Sequence, residues 1–281
     1  MKLIKLSVII PTFNRTQLLF RSVNSILNQE IDDVEIIIVD DYTRDQTDEI
    51  KEIFKHLSCV KVVKSWAHKP SGARNIGVKN ALGKYISFLD DDDMYLPGRL
   101  NNMLTYIEKA PKKLSFVSSG RLFEINDFQK IILDDSQKYG VINLSDVLDC
   151  NGIDIGFMMR RSLFNELKGF DESLSSLEDW DLILRSLMIS DGYKLERLDY
   201  AVNCEVDRPR VSLSQEKSRN NLADKYSFKF GKKWYFENKF KGLCESGEFN
   251  LNYAIKYLIY SRSFYDFKSL IYHTLKVFRR F

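Results

Sequence analysis

Apolar and polar positions in the first 120 residues alternate between two periods. Residues 6–10 (LSVII) form a short apolar run stopped by Pro11, and 16–28 places Leu19, Val23, Ile26 and Leu27 at helical spacing. Residues 34–39 (VEIIIV) are a nearly unbroken β-branched run, the mark of a strand buried on both faces. Helical spacing returns over 45–57 through Ile50, Ile53, Phe54 and Leu57; 60–63 reads as a strand, 73–82 as a helix and 85–89 (YISFL) as a strand. Pro97 suits the first turn of a helix with Leu100, Met103, Leu104 and Ile107 on its apolar side, and 114–118 reads as a fifth strand. Strands alternating with helices predict an α/β fold whose mostly parallel, Rossmann-like sheet carries helices on both faces.

Past residue 120 the rhythm weakens. Residues 123–133 read as a strand pair or as irregular chain, and 142–148 as a short helix. Residues 177–188 are helical through Leu182, Ile183, Leu184 and Leu187, 195–205 return to a strand, and from 218 onward the pattern is helical. There is no internal repeat.

Composition narrows the class. Hydrophobic residues make up 44% of 281, with only 13 Gly and 5 Pro, which excludes disordered and collagen-like chains. Lys and Arg number 42 against 39 acids, so no nucleic-acid partner is expected. Cys59, Cys150, Cys204 and Cys244 have neither metal-knuckle nor redox spacing and read as thiols of a reducing compartment; His56, His68 and His273 show no metal spacing either. The N-terminal apolar run is too short for a signal peptide, and no stretch approaches the ~18 apolar residues of a spanning helix. The expected location is cytoplasmic, with at most peripheral attachment to the inner face of the cell membrane.

Ligands on an open parallel sheet bind beyond the carboxyl ends of its strands. Three strands here end in conspicuous polar groups: Pro11-Thr12-Phe13-Asn14-Arg15, Asp40-Asp41 and Asp90-Asp91-Asp92-Asp93. Four adjacent aspartates repel one another unless a cation joins them. Mg²⁺ and Mn²⁺ take carboxylate oxygens, and Mg²⁺ commonly uses one or two of them together with substrate phosphates. In an extended segment Asp90 and Asp92 share one face, Asp91 and Asp93 the other. The plainer alternative is a solvated acidic turn, and for Asp93 alone a cap on the next helix is the expectation. Pro70-Ser71-Gly72-Ala73-Arg74-Asn75 stands just before a helix, where a glycine, an arginine and a helix N-terminus suit a phosphate; an ordinary surface arginine is the alternative. Neither GxGxxG nor GxxxxGK[ST] occurs. Leu177-Glu178-Asp179-Trp180-Asp181 is a second acidic site at a helix start, where acids also complement the helix dipole.

Taken in order, these segments resemble an inverting family 2 glycosyltransferase of the GT-A fold, of the bacterial surface-polysaccharide type. SVIIPTFNR resembles its opening strand and nucleotide loop, VDDYTRDQT its second strand, SGARNIG its arginine segment and FLDDDDMYLPGRL its metal-binding DxD region. GFDESL followed by LEDWDLILR is similar to the acceptor-side segment with its ED base motif. The resemblance implies that Pro11, Thr12, Arg15 and Asp41 hold the nucleoside, with Asp41 accepting from the base. It places Arg74 against the diphosphate or sugar, Asp90 and Asp91 at the first two DxD positions, and Asp92 on the metal, Mn²⁺ or Mg²⁺. Asp179 matches the general base. Tyr42 stands where glycine is usual, Arg44-Asp45-Gln46 replaces a small turn, and four consecutive aspartates leave the DxD register open by one residue. Arg208 and Arg210 are candidates for a diphosphate-contacting loop.

The implied division is 1–118 for the nucleotide sugar, 119–217 for the acceptor within the same GT-A domain, and 218–281 as a C-terminal helical extension. The implied chemistry is a single displacement: Asp179 takes the proton of an acceptor hydroxyl that attacks the anomeric carbon of a nucleotide sugar, expected to be a UDP-sugar. The metal and Arg74 offset charge on the departing diphosphate, and one displacement inverts the centre. The expected acceptor is a glycan hydroxyl on a polyprenyl-diphosphate-linked precursor. Two other classes compete. A sugar-nucleotide pyrophosphorylase also puts Mg²⁺ and an arginine on a parallel sheet, but PTFNR is not its Gly-rich loop. A non-catalytic nucleotide-sugar-binding protein needs no base, whereas Glu178-Asp179 is present.

Residues 251–281 hold six bases against one acid. Leu251, Ala254, Ile255, Leu258 and Ile259 recur at helical spacing, as do Phe264, Phe267, Ile271, Leu275 and Phe278, among nine aromatics. Such helices lie in membrane interfaces, so peripheral membrane contact is one expectation. The same stripes also suit packing on the catalytic domain or on a second subunit of an oligomer.

Overall fold

In the computed structural model, strand β1 (Leu6–Thr12) lies between β2 (Val34–Asp41) and β4 (Tyr85–Phe88), parallel to both, and β3 (Val60–Ser65) joins the far side of β2. The structure describes residues 3–41, 46–110, 113–204, 215–246 and 248–261, with 268, 270–272, 274 and 275. All eight residues of β2 are buried, as its apolar run requires. Helices α1 (Thr16–Leu27), α2 (Gln46–Phe54) and α3 (Pro70–Lys79) connect these parallel strands. Gly77 lets α3 settle on β1: a Cβ there would lie 2.4 Å from Cγ2 of Ile9.

Two local expectations are corrected here. β1 does not stop at Pro11 but continues to Thr12, with Pro11 in register with Val39. Odd-numbered residues of β1 point toward β4, as the bond from the Leu89 amide to the Ile9 carbonyl shows, and β4 ends at Phe88. The N–H that Pro11 lacks therefore has no strand to meet, and the ladder to β2 is intact. The 70–75 segment does not precede a helix; it forms the opening of α3, with Pro70 in the first turn and Lys69 as N-cap.

Beyond α3 the sheet becomes mixed. β5 (Met94–Tyr95), α4 (Arg99–Lys109), β6 (Val117–Ile125) and β7 (Lys130–Leu133) follow, the last two as an antiparallel hairpin. Next come β8 (Gly140–Ile142), a 3₁₀ turn at Leu144–Val147, β9 (Met158–Arg160), α5 (Arg161–Glu166), α6 (Glu178–Leu187) and β10 (Gly192–Asn203). The order is β3-β2-β1-β4-β9-β6-β10-β5, with β7 on β6 and β8 on β10. β9 is antiparallel to β4 and β6, whereas β6 and β10 are parallel.

Contacts divide the chain into two units, Met1–Glu172 with Leu182–Arg208, and Ser173–Asp181 with Pro209–Phe281. The second unit contains α7 (Glu216–Ser246) and α8 (Leu251–Ser261). α7 is broken at Gly231, whose φ of +83° suits glycine alone. Phe240 and Cys244 of α7 bury Ala254 and Tyr257 of α8, while Leu251, Ile255 and Ile259, one turn apart, remain exposed. The apolar stripe is thus split between packing and solvent. Among the described residues no helix is long and apolar enough to cross a membrane.

Candidate active site

The residues that follow β1, β2 and β4 gather at one edge of the first unit's parallel strands. After β4 the chain turns, the Asp93 amide donating to the Asp90 carbonyl at 3.1 Å. This turn overrides the alternation expected of an extended segment: consecutive Asp91 and Asp92 both reach Arg15, whose Nη1 is 3.3 Å from Asp91 Oδ1 and 3.3 Å from Asp92 Oδ2. Thr12 Oγ1 donates to Asp91 Oδ2 at 2.8 Å, and Arg74 Nη2 donates to Asp90 Oδ1 at 2.6 Å. Thr12 at the end of β1, Arg15 just after it and Arg74 from α3 thus meet the first three aspartates.

Asp93 does not cap the next helix, whose N-cap is Gly98. It is buried and accepts the Tyr200 hydroxyl at 2.7 Å and the Asn203 amide at 3.0 Å, which ties the acidic turn to β10. Burial, reinforced by the charges of Asp92 and Asp90, holds its carboxyl well above the usual range. Behind it, the fully buried Arg99 guanidinium stacks 4.8 Å from the Tyr200 ring and pairs with Asp154 (2.9 Å) and Asp199 (3.0 Å). Burial also lifts Asp91, to about 6; Thr12 and Arg15 oppose the rise while Asp92 and Asp90 add to it. Nothing local in the sequence marks Tyr200 or Asn203 as partners of this turn.

Asp41 ends β2 and is held by the loop after β3. Its Oδ1 accepts Ser65 Oγ at 2.8 Å, the Ala67 amide at 2.9 Å and the His68 amide at 3.1 Å. Oδ2 makes no hydrogen bond among the described residues. Asn14 and His68, near this edge, both hold a left-handed backbone with φ of 55°, a strain that functional loops often carry. Pro11 contributes backbone at the end of β1. Tyr42, Arg44, Asp45, Arg208 and Arg210 lie outside the described residues, as does the side chain of Gln46.

Among the described residues no three His, Cys, Asp or Glu side chains converge to hold a metal by themselves. The turn nonetheless fits a hard divalent cation that takes most of its shell from elsewhere. The Asp90 and Asp92 side chains keep 36% and 26% of their exposure, so both carboxylates are reachable from solvent by an ion completed by phosphate and water.

In the second unit, Asp179 occupies the first turn of α6, after Leu177, whose φ of 62° is strained for a non-glycine residue. Asp179 Oδ1 accepts the Trp180 amide at 2.8 Å. Glu178 and Asp179 are half-buried; Trp180 and Asp181 are buried.

The family model described as Glycosyl transferase family 2 matches residues 7–168. An uncharacterized glycosyltransferase of Bacillus subtilis, YwdF, is 30% identical over 81% of this chain and 84% of its own length. The poly(ribitol-phosphate) beta-N-acetylglucosaminyltransferase TarP of Staphylococcus aureus is 29% identical over 77% of this chain and 68% of its own. A Campylobacter jejuni GalNAc(5)-diNAcBac-PP-undecaprenol beta-1,3-glucosyltransferase is 39% identical over 43% of this chain and 39% of its own. Several relatives extend well beyond the match, which covers 17% of an uncharacterized Rickettsia conorii glycosyltransferase. S. aureus TarS 1–349, solved in complex with UDP-GlcNAc, superposes with a TM-score of 0.67 at 18% identity, covering 91% of this chain and 79% of that one. That likeness establishes the GT-A-type fold expected from the sequence.

Proposed function

This chain belongs to glycosyl transferase family 2, and on that basis we propose that it moves a sugar from a UDP-sugar to a glycan hydroxyl with inversion. The observation that carries the proposal is the meeting of Thr12, Arg15 and Arg74 with the acidic turn at the carboxyl ends of parallel strands. Two guanidinium groups beside the half-buried carboxylates of Asp90 and Asp92 suit a metal-bound diphosphate, since arginine matches phosphate oxygens in a bidentate fork. A bound UDP-sugar in the TarS structure and the N-acetylglucosaminyl transfer named for TarP favour UDP.

In this reading Asp41 accepts from the base, Pro11, Thr12 and Arg15 hold the nucleoside, and Arg74 faces the diphosphate, with Asp90 and Asp91 lining the donor. Asp92 would hold a divalent ion, which would supply positive charge beside the leaving diphosphate. Arg74 offsets the remaining charge as the glycosidic bond breaks. Asp179 takes the proton of the acceptor hydroxyl. The Campylobacter relative acts on an undecaprenyl-diphosphate-linked glycan, and a lipid-linked acceptor accords with the exposed apolar row on α8, proposed to rest against the inner face of the membrane.

The test is a panel of nucleotide sugars scored for Mn²⁺-dependent thermal stabilisation of the purified protein, followed by UDP release with and without acceptor glycan. A UDP-sugar should stabilise, and UDP should appear faster with acceptor. Pyrophosphate-dependent breakdown of the donor without an acceptor would replace this reading with a pyrophosphorylase.

A further inference from the structure

The first turn of α6 is fastened by α7 within the second unit. Ser218 Oγ, at the start of α7, accepts the amides of Ser175 (3.3 Å) and Ser176 (3.1 Å), the residues leading into that turn. Asp181 is fully buried and accepts Lys225 Nζ at 2.6 Å and the Tyr226 hydroxyl at 2.7 Å. Trp180 meets Trp234 edge-on at 6.2 Å and lies 5.4 Å from the guanidinium of Arg219. Arg219 is itself held by Glu245 at 3.1 and 2.8 Å and by Asn238 at 3.1 Å.

A buried carboxylate that satisfies two donors on a neighbouring helix has little rotational freedom, because any turn about the helix axis lengthens charge-assisted bonds in a medium that cannot replace them. Successive helical residues are about 100° apart, so Asp179 projects about 200° away from Asp181. Fixing Asp181 against α7 therefore sets the direction of Asp179. A buried ion pair adds little net stability over apolar packing, and its best-attested use is to select one geometry.

We propose that Asp181, through Lys225 and Tyr226, is the positioning residue for Asp179, which makes α7 part of the acceptor-side apparatus. This rests on the reading of Asp179 as the base. The test uses the full chain and its Asp181→Asn, Tyr226→Phe, Lys225→Met and Lys225→Arg variants. It measures UDP release from UDP-GlcNAc and hydrogen exchange across 174–181. Since a displacement of ~1 Å can cost ~100-fold in rate, Asp181→Asn should lower turnover ~10- to 100-fold and Tyr226→Phe several-fold, with donor KM and Mn²⁺-UDP stabilisation unchanged. Lys225→Arg should recover most of what Lys225→Met loses, and amides of 178–181 should exchange faster in the impaired variants. Turnover within twofold of wild type in both Asp181→Asn and Tyr226→Phe overturns the proposal, as does a donor KM that rises in step with the loss. If Asp181→Asn does not fold, Tyr226→Phe and Lys225→Met decide. Wild-type turnover in Asp179→Asn would sink the base reading instead, a separate result.

Discussion

Thr12 donates a 2.8 Å hydrogen bond to the carboxylate of Asp91, a residue 79 positions away whose burial lifts its pKa to about 6. The proton is bound more tightly in the folded chain than in the unfolded one. The stability this group contributes is therefore full below pH ~4 and lost as pH rises through ~6, a swing of ~3 kcal/mol. Without metal, urea unfolding between pH 4 and 7 should show wild type losing about that much relative to Asp91→Asn. A constant gap across the range would refute the assignment.

Asp92→Ala and Asp92→Asn should abolish transfer and most Mn²⁺-dependent UDP binding, read by calorimetry with and without Mn²⁺. The Asp92 side chain beside Arg15 is half-buried, whereas Asp91 is enclosed. Near-normal turnover of both variants at saturating Mn²⁺ would move the ligand to Asp90, the other half-buried carboxylate of the turn.

Asp179→Asn should still bind the nucleotide sugar while turnover falls ~10²–10⁴-fold, the range for loss of a general base. Glu178→Gln should lose less. The reverse ranking in steady-state assays would place the base one residue earlier.

Gly77→Ala should destabilise the fold without touching the site. The added methyl would meet Ile9 Cγ2 at 2.4 Å and Val39 Cγ2 at 3.1 Å, both buried, and overpacking of this kind costs ~1–3 kcal/mol. The urea midpoint should drop while donor KM holds; an unchanged midpoint would show that α3 can lift off β1 at no cost.

Ile255→Ser with Ile259→Ser should weaken co-sedimentation with anionic liposomes and leave the fold intact, because both side chains are exposed while Ala254 and Tyr257 carry the packing on α7. Deleting everything after Asn250 is a poorer probe, since it would uncover Phe240 and Cys244. Equal, negligible sedimentation of wild type and variant would remove the membrane contact.

The linear pattern was enough to place the parallel half of the sheet and the polar groups at its edge. A run such as VEIIIV records burial on both faces in its own residues, and the helical period of 16–28 or 177–188 records one buried face. Pro11, Thr12, Arg15, Asp41 and the four aspartates were legible because strand ends are local features. Tertiary structure decided what each of them touches. Pro11 stays in the ladder only because β4 ends at Phe88. Asp93, which reads locally as a helix cap, is buried because Tyr200, 107 residues away, donates to it. β9, three residues long, is too short to carry a period, yet it reverses the sheet between β4 and β6. Asp181 looks like one more acid of a helical first turn until α7 brings Lys225 and Tyr226 to it. Periodicity encodes which face of an element is buried, whereas a partner's identity depends on pairing between distant segments, and that is fixed only when the chain closes on itself.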